Sequence, residues 1–244
     1  MESRKKISVT DKKSTVSSMF DNIAFRYDFL NHFMSFGIDR TWRRKAIKII
    51  GETQLKPRIL DVATGTGDLA IAAMKLDPVY ITGIDISNKM LEIGKEKIMK
   101  MGLSNTIELL PGDSENISFE GNIFDVAMVA FGVRNFADPL KGLSEMRRVL
   151  KKGGMIMVLE FSKPSAFPFR QVYGFYFLKI LPLIGRLISK NRNAYRYLPE
   201  SVMQFPDNEL FLDLMREAGF TGVKQEKLTF GIASIYTGFK SQMQ

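Results

Sequence analysis

No cysteine occurs in the chain, and histidine occurs once, as His32. Disulfides, thiolate metal centres and cysteine nucleophiles are therefore excluded, and a multi-histidine site cannot be assembled, so no metal is expected. Long apolar runs are missing as well. The greasiest stretch, FPFRQVYGFYFLKILPLIGRLISK at 167–190, is broken by Arg170, Lys179, Pro182 and Arg186 and falls short of the roughly 18 apolar residues that a membrane span needs. The N-terminal MESRKKISVTDKK carries Arg4, Lys5, Lys6, Lys12 and Lys13 without the apolar core of a secretory signal. Residues 1–14 read as a disordered basic arm, and the protein as cytoplasmic.

With 244 residues and 45% hydrophobic content, the chain has enough apolar surface for one sizeable core, and 1–244 reads as a single domain. Its formal charge of +9 raises nucleic acid and anionic membrane as partners. The basic residues are spread along the chain and form no single block, so no nucleic-acid partner is expected.

The segment DVATGTGD, Asp61 to Asp68, follows the apolar run Arg58 to Leu60. A strand that ends in an acid and turns through Gly65 and Gly67 lets backbone approach a ligand, because glycine has no Cβ to collide with it. A second strand, Tyr80 to Ile84, ends in Asp85, about where a doubly wound sheet places the carboxylate that holds a ribose. GTGDLA also satisfies the dinucleotide pattern G-x-G-x-x-A. Three acids around one crevice, Asp61, Asp68 and Asp85, suit a positively charged sulfonium and oppose a pyrophosphate, which needs amides and a helix N-terminus. The balance tilts towards S-adenosylmethionine over NAD.

Strands and helices alternate from here on: strand Arg58 to Val62, helix Asp68 to Lys75, strand Tyr80 to Asp85, helix Ser87 to Met101, strand Thr106 to Leu110, strand Phe124 to Ala130. A helix capped by Asp138 and opened by Pro139 is predicted to stop at Gly153 and Gly154, ahead of a buried strand, Met155 to Phe161. A helix from about Asn208 to Gly219 and the β-rich runs Val223 to Thr229 and Ile232 to Phe239 close the chain. Together these predict an α/β, Rossmann-like fold: a mostly parallel seven-stranded sheet with an antiparallel C-terminal hairpin edge. Amphipathic helices between Thr15 and Ile50 precede it, and 163–205 reads as a hydrophobic lid insertion over the substrate.

Those turn and strand-end residues, with RVLKKGGMIMVLEFS (148–162), resemble the class I S-adenosylmethionine-dependent methyltransferases. YDFLNHFMSFGIDRTW (27–42), FGVRN (131–135) and YRYLPES (195–201) narrow the resemblance to the menaquinone and ubiquinone biosynthesis C-methyltransferases, over almost the whole chain. The resemblance implies methylation of a ring carbon of a polyprenylated quinol. A demethylmenaquinol is favoured over a benzoquinol, and transient contact with the inner face of the membrane would reach the prenyl tail. It sets Thr66 against the cofactor, Asp85 on the ribose hydroxyls and Asp113 with Ser114 at the adenine. Leu30, Asp39 and Lys152 depart from the family's signatures, and Ala130 stands where a serine is common. Asp39 replaces a histidine that would be a candidate for proton transfer.

Methyl transfer to carbon needs an electron-rich ring, hence a group that promotes loss of a neighbouring hydroxyl proton. Arg134 and Asn135, at the carboxyl end of the fourth strand, are the first candidates: Arg134 to favour the phenolate and Asn135 to orient the ring. Tyr27 and Tyr195 are further proton-relay candidates, and His32 is more readily a packing residue. An RNA methyltransferase would share the cofactor and the positive charge. The fourth strand ends in AFGVRN, however, and not in an Asn or Asp followed by two prolines and an aromatic.

Overall fold

The computed structural model describes residues 13–21, 24, 37–164, 167–168, 171, 174, 197 and 200–242. Tyr27, His32 and Tyr195 lie outside the described residues, as do 1–12 of the basic arm and most of the 163–205 insertion. Residues 13 and 14, assigned to the arm by composition, belong to a helical segment, 13–21.

Seven strands form one sheet: β1 Arg58–Val62, β2 Tyr80–Asp85, β3 Ile107–Pro111, β4 Phe124–Ala130, β5 Leu150–Phe161, β6 Phe220–Leu228 and β7 Ala233–Lys240. Their order is β3-β2-β1-β4-β5-β7-β6. All neighbours pair in parallel except β7, which runs antiparallel between β5 and β6. The predicted hairpin is thus present, and it folds back so that β6 forms the edge. The chain reaches the β3 edge and then returns to the far side of β1. That reversal opens a crevice at the carboxyl ends of β1, β2 and β4.

The central strands β1, β4 and β5 read as near-continuous aliphatic runs because both faces are covered. Successive side chains point to opposite faces. Ile59, Ile81 and Met128 join one core with Trp42, Ile47, Leu69 and Leu91, while Leu60, Ile84 and Val129 join the other with Leu143, Met146 and Phe211. The first core is roofed by α1 Asp39–Gly51, α2 Asp68–Ala73 and α3 Asn88–Lys100, the second by α4 Pro139–Val149 and α5 Glu209–Glu217. Among the described residues no helix is long and apolar enough to cross a membrane.

Caps fix where these helices begin. Ser87 Oγ accepts from the Met90 amide at 3.3 Å to start α3, and Asp138 from the Lys141 amide at 3.1 Å to start α4. The end of α4 corrects the sequence reading, which carried it to Gly153 and Gly154. It stops at Val149, because Leu150 already pairs with Phe124 and is fully buried. Gly153, at φ 76°, lies inside the strand where a register shift bends it.

Candidate active site

The turn after β1 is built by backbone. The Thr64 amide donates to Ile84 O at 3.0 Å and the Gly67 amide to Thr64 O at 3.0 Å. Gly65 and Gly67 take φ of 58° and 81°, the left-handed region that glycine enters without strain. Asp85 at the end of β2 locks the turn from the other side, its two oxygens accepting from the amides of Gly65 and Ser87, each at 2.8 Å. A Cβ on Gly83 would lie 2.5 Å from Leu109 Cδ2 and 2.9 Å from Thr64 Oγ1, so glycine there permits the turn to lie against β2.

Two hollows flank this turn. The larger, about 670 Å³ and open to solvent, is lined by Ala63, Gly65, Asp85, Asp113, Ser114 and Asn135 among others. Ile86, Met90 and Phe136 give it apolar walls, and Val16 and Phe20 close it from the helical segment 13–21. This segment is tied down at both ends. Lys13 Nζ reaches Asp113 Oδ2 at 2.7 Å and Glu115 Oε2 at 3.0 Å, and Ser87 Oγ donates to Asp21 at 2.6 Å. Glu115 in turn accepts from the amides of Ala137 and Asp138 at 2.6 and 3.0 Å, joining the loops after β3 and β4.

The smaller hollow, about 340 Å³, is lined by Arg43, Asp61, Thr64, Thr66 and Asp68, and shares Ala63 and Gly65 with the larger. Asp61 is 1% exposed; its Oδ2 accepts from Thr64 Oγ1 at 2.6 Å and its Oδ1 has no partner. Burial drives its pKa up to about 7, against the Thr64 hydrogen bond, and the nearby charge of Asp85 adds to the rise. Burial also raises Asp85, and the amides of Ser87 and Gly65 work against the rise. Lys97 Nζ pairs with Asp68 at 2.8 Å and donates to Thr66 Oγ1 at 3.1 Å. Asp39 neither caps α1 nor stands free for proton transfer, because its buried carboxylate is paired with Arg43 one turn on.

At the end of β4 the structure revises the expected setting of Arg134. Its guanidinium is not open to the hollow: it pairs with Glu160 Oε1 at 2.8 Å, donates to Phe131 O, and lies over the Phe161 ring. Both partners are buried, and burial raises the pKa of Glu160 against the lowering effect of Arg134. Nε of Arg134 has no partner. Asn135 lines the larger hollow and accepts from Tyr197 Oη at 3.0 Å. Burial raises Tyr197 as well.

Of the residues singled out from sequence, Asp61, Gly65, Thr66, Asp85, Asp113, Ser114 and Asn135 surround the two hollows, and Gly67 supports their floor. Missed were Lys13, Arg43, Glu160 and Tyr197. A signal existed for Glu160, since an acid inside the apolar run Met155 to Phe161 demands a buried cation. Tyr197 sits in YRYLPES, where Tyr195 was the residue chosen. Nothing in the local pattern marks Lys13.

The fold and this site define a class I S-adenosylmethionine-dependent methyltransferase. A solved SAM-dependent methyltransferase from Thermotoga maritima superposes with a TM-score of 0.64 at 21% identity, covering 92% of this chain and 99% of that one. The chain belongs to the ubiE/COQ5 methyltransferase family, whose model matches residues 6–240. Two curated relatives are similar over most of their length. A protein of Geotalea daltonii named ubiquinone/menaquinone biosynthesis C-methyltransferase UbiE is 49% identical, over 95% of this chain and 99% of its own. A demethylmenaquinone methyltransferase of Bacteroides fragilis is 47% identical, over 94% of each.

The residues present fit the cofactor of this class. Each oxygen of Asp85 spends one lone pair on an amide and keeps another for a ribose hydroxyl. Asp61, a buried carboxyl in the wall of the smaller hollow, offers negative charge that suits a cationic group. Asp113 and Ser114 offer polar atoms to a base between Ile86 and Phe136.

Proposed function

We propose that this chain transfers a methyl group from S-adenosylmethionine to a ring carbon of a polyprenylated demethylmenaquinol, giving menaquinol. The observation that carries the reading is the meeting of two features in one hollow. The nucleoside-binding acids Asp85 and Asp113 share its lining with Asn135, whose neighbour Arg134 completes the polar corner at the end of β4. The name of the Bacteroides fragilis relative supports the substrate.

When bound, the cofactor supplies an electrophilic methyl on a sulfonium. The ring carbon would take that methyl group, and the ring hydrogen would leave as a proton. Asp85 and Thr66 hold the nucleoside and the turn, while Asp113 and Ser114 hold the adenine end. Asn135, set by Tyr197, orients the ring. Arg134, closed off from the hollow and balanced by Glu160, favours the phenolate through its field from behind Asn135 and not by direct contact. Tyr27 remains a proposed relay at the ring, and the 163–205 insertion the proposed cover for the prenyl tail. Transient contact with the inner face of the membrane would deliver that tail.

The test is incubation with S-adenosylmethionine and a reduced short-chain demethylmenaquinol, read as a product heavier by one CH₂. Arg134→Ala is expected to lose turnover while still binding S-adenosylhomocysteine; unchanged turnover removes this role for Arg134. The name of the Geotalea relative supports a second reading, in which a polyprenyl benzoquinol is also a substrate, and competition between the two quinols separates them.

A further inference from the structure

Glu160 stands fully buried in the apolar run of β5, and its carboxylate holds one residue by two handles. Oε1 accepts from Nη1 of Arg134 at 2.8 Å, and Oε2 from the Arg134 amide at 3.3 Å. Oε1 also accepts from the Phe161 amide at 2.9 Å, which ties the group to its own strand. A carboxylate that only neutralised a guanidinium would spend both oxygens on its nitrogens, fork to fork. Here one oxygen goes to the main chain. The gripped residue lies in the turn Val133–Asn135, just after Phe131, whose φ of 57° is strained for a residue with a side chain. The carbonyl of Phe131 accepts from Arg134 Nη1 and, at 3.4 Å, from Asn135 Nδ2. Tyr197 holds the oxygen of the same amide at 3.0 Å. Glu160 thus reaches Asn135 through Arg134 and one carbonyl.

We propose that Glu160 is a positioning residue for methyl transfer with two separable effects: its grip on Arg134 sets the place of Asn135, and its negative charge restrains the field of Arg134 at the quinol hydroxyl. The inference rests on the quinol reading above. Opposite charges 2.8 Å apart act on a ring beyond Asn135 as a dipole, whose field falls faster with distance than that of a lone charge. Without the negative member, the full charge of Arg134 would favour the phenolate more strongly. The restraint has a use, because a phenolate held by an unopposed cation gives its electrons less readily to the methyl group. Other charges nearby are settled. Tyr197 and Tyr236 feel Glu160, but burial raises both, Tyr236 to about 12, so they stay neutral near pH 7. Arg43, over the Phe131 ring, is paired with Asp39. Lys13, Asp85, Asp113 and Glu115 also line the larger hollow and are common to parent and variants.

The test follows kcat against pH at saturating S-adenosylmethionine and reduced short-chain demethylmenaquinol, where the acid limb reports groups in the loaded enzyme. Affinity for S-adenosylhomocysteine controls for the fold and is expected to stay within about twofold of the parent in both variants, since Glu160 lines neither hollow. Glu160→Gln keeps the shape and removes the charge, so the acid limb is expected to move to lower pH by about 1 unit or more. Glu160→Asp keeps the charge but is one CH₂ too short for both handles. Its limb is expected to stay with the parent's while the plateau falls about ten- to a hundredfold. A Gln variant whose limb stays or moves to higher pH overturns the proposal. An Asp variant with an unchanged plateau, or with a limb displaced as far as that of the Gln variant, does so too. If Glu160→Gln does not fold, the Asp variant decides alone: a plateau that is unchanged, or that falls only in step with S-adenosylhomocysteine binding, overturns the proposal. Loss of the fold in both variants would make Glu160 a residue of the core and nothing more. A parent with no acid limb also overturns the proposal, whereas a parent that yields no methylated quinol overturns the quinol reading itself.

Discussion

Asp61 shows how the burial of a single carboxyl makes stability depend on pH. A carboxyl whose pKa moves from 3.8 to about 7 on folding keeps its proton in the folded state while the unfolded chain has lost it. The folded state therefore binds more protons across that window, and stability falls as pH rises from about 4 to about 7. The protonated site is fully favourable below the unfolded value and its contribution is gone above the folded one. Asp61→Asn removes the titration. The expected outcome is an apoprotein stabilised at pH 8 by up to about 4 kcal/mol relative to its parent, with the advantage shrinking towards pH 4. Thermal melts across pH measure it, and a variant that loses stability at pH 8 contradicts it. A carboxylate that meets a cationic cofactor, the role proposed for Asp61, must be ionised, so cofactor affinity in the parent is expected to decline below about pH 7, by up to tenfold per pH unit. Gly94 offers a second case, decided by distance. Alanine inside α3 would gain up to about 1 kcal/mol of helix propensity. Its Cβ, however, would stand 2.6 Å from Leu109 Cδ1 and 3.0 Å from the carbonyl carbon of Thr66. Leucine can shift, but the Thr66 backbone belongs to the cofactor turn. Gly94→Ala is expected to lose about 1–3 kcal/mol of stability in denaturant titrations and to weaken S-adenosylhomocysteine binding in the same preparation. A variant as stable as the parent would show that the turn can yield.

Among the elements, the helical segment 13–21 is held to the domain by polar bonds near both of its ends. Lys13 occupies Asp113 Oδ2, an oxygen assigned to the adenine, and Asp21 holds the Ser87 hydroxyl at the head of α3. Lys13→Met keeps most of the aliphatic stem and removes both ion pairs. A partly exposed pair is worth about 1 kcal/mol or less, so S-adenosylhomocysteine is expected to dissociate up to about fivefold faster from the variant. Stopped-flow displacement reads that rate, and an unchanged rate would mean that Val16 and Phe20 hold the segment without Lys13. The elements also show what the sequence made legible. Aliphatic runs bounded by acids and glycines revealed the parallel strands, because a two-faced parallel strand has a composition that few other elements share, whereas the antiparallel β6 and β7 were read from β-rich runs around Gly231. The end of α4 was missed because KKGG resembles a helix stop, whereas pairing of Leu150 with Phe124 decides it. Arg43 and Lys13 were invisible for a different reason. Each is one basic residue among many, and only the fold brings it to Asp61 or to Asp113. Arg134 was found, but its partner Glu160 lies 26 positions away on the neighbouring strand.

For the molecule as a whole, the proposed substrate sets the problem of reaching a tail buried in lipid, with no helix among the described residues long and apolar enough to cross it. The net charge of +9 gives a general attraction to anionic surfaces. Each Lys or Arg near such a surface contributes about 1 kcal/mol, and the attraction falls off within a Debye length of about 8 Å at physiological salt. Charge alone therefore predicts binding that salt reverses. A prenyl unit drawn into the protein adds about 0.8 kcal/mol for each CH₂ buried, and that contribution does not weaken with salt. The two contributions can be separated by flotation. Vesicles with anionic lipid are expected to carry the protein at low salt and to release it at about 0.5 M salt, where the Debye length has shrunk to roughly 4–5 Å. Vesicles that also contain demethylmenaquinol are expected to retain part of it at the high salt. Equal release from both kinds of vesicle would mean that the tail is not gripped. Absence from both at low salt would mean that the quinol meets this enzyme away from the bilayer.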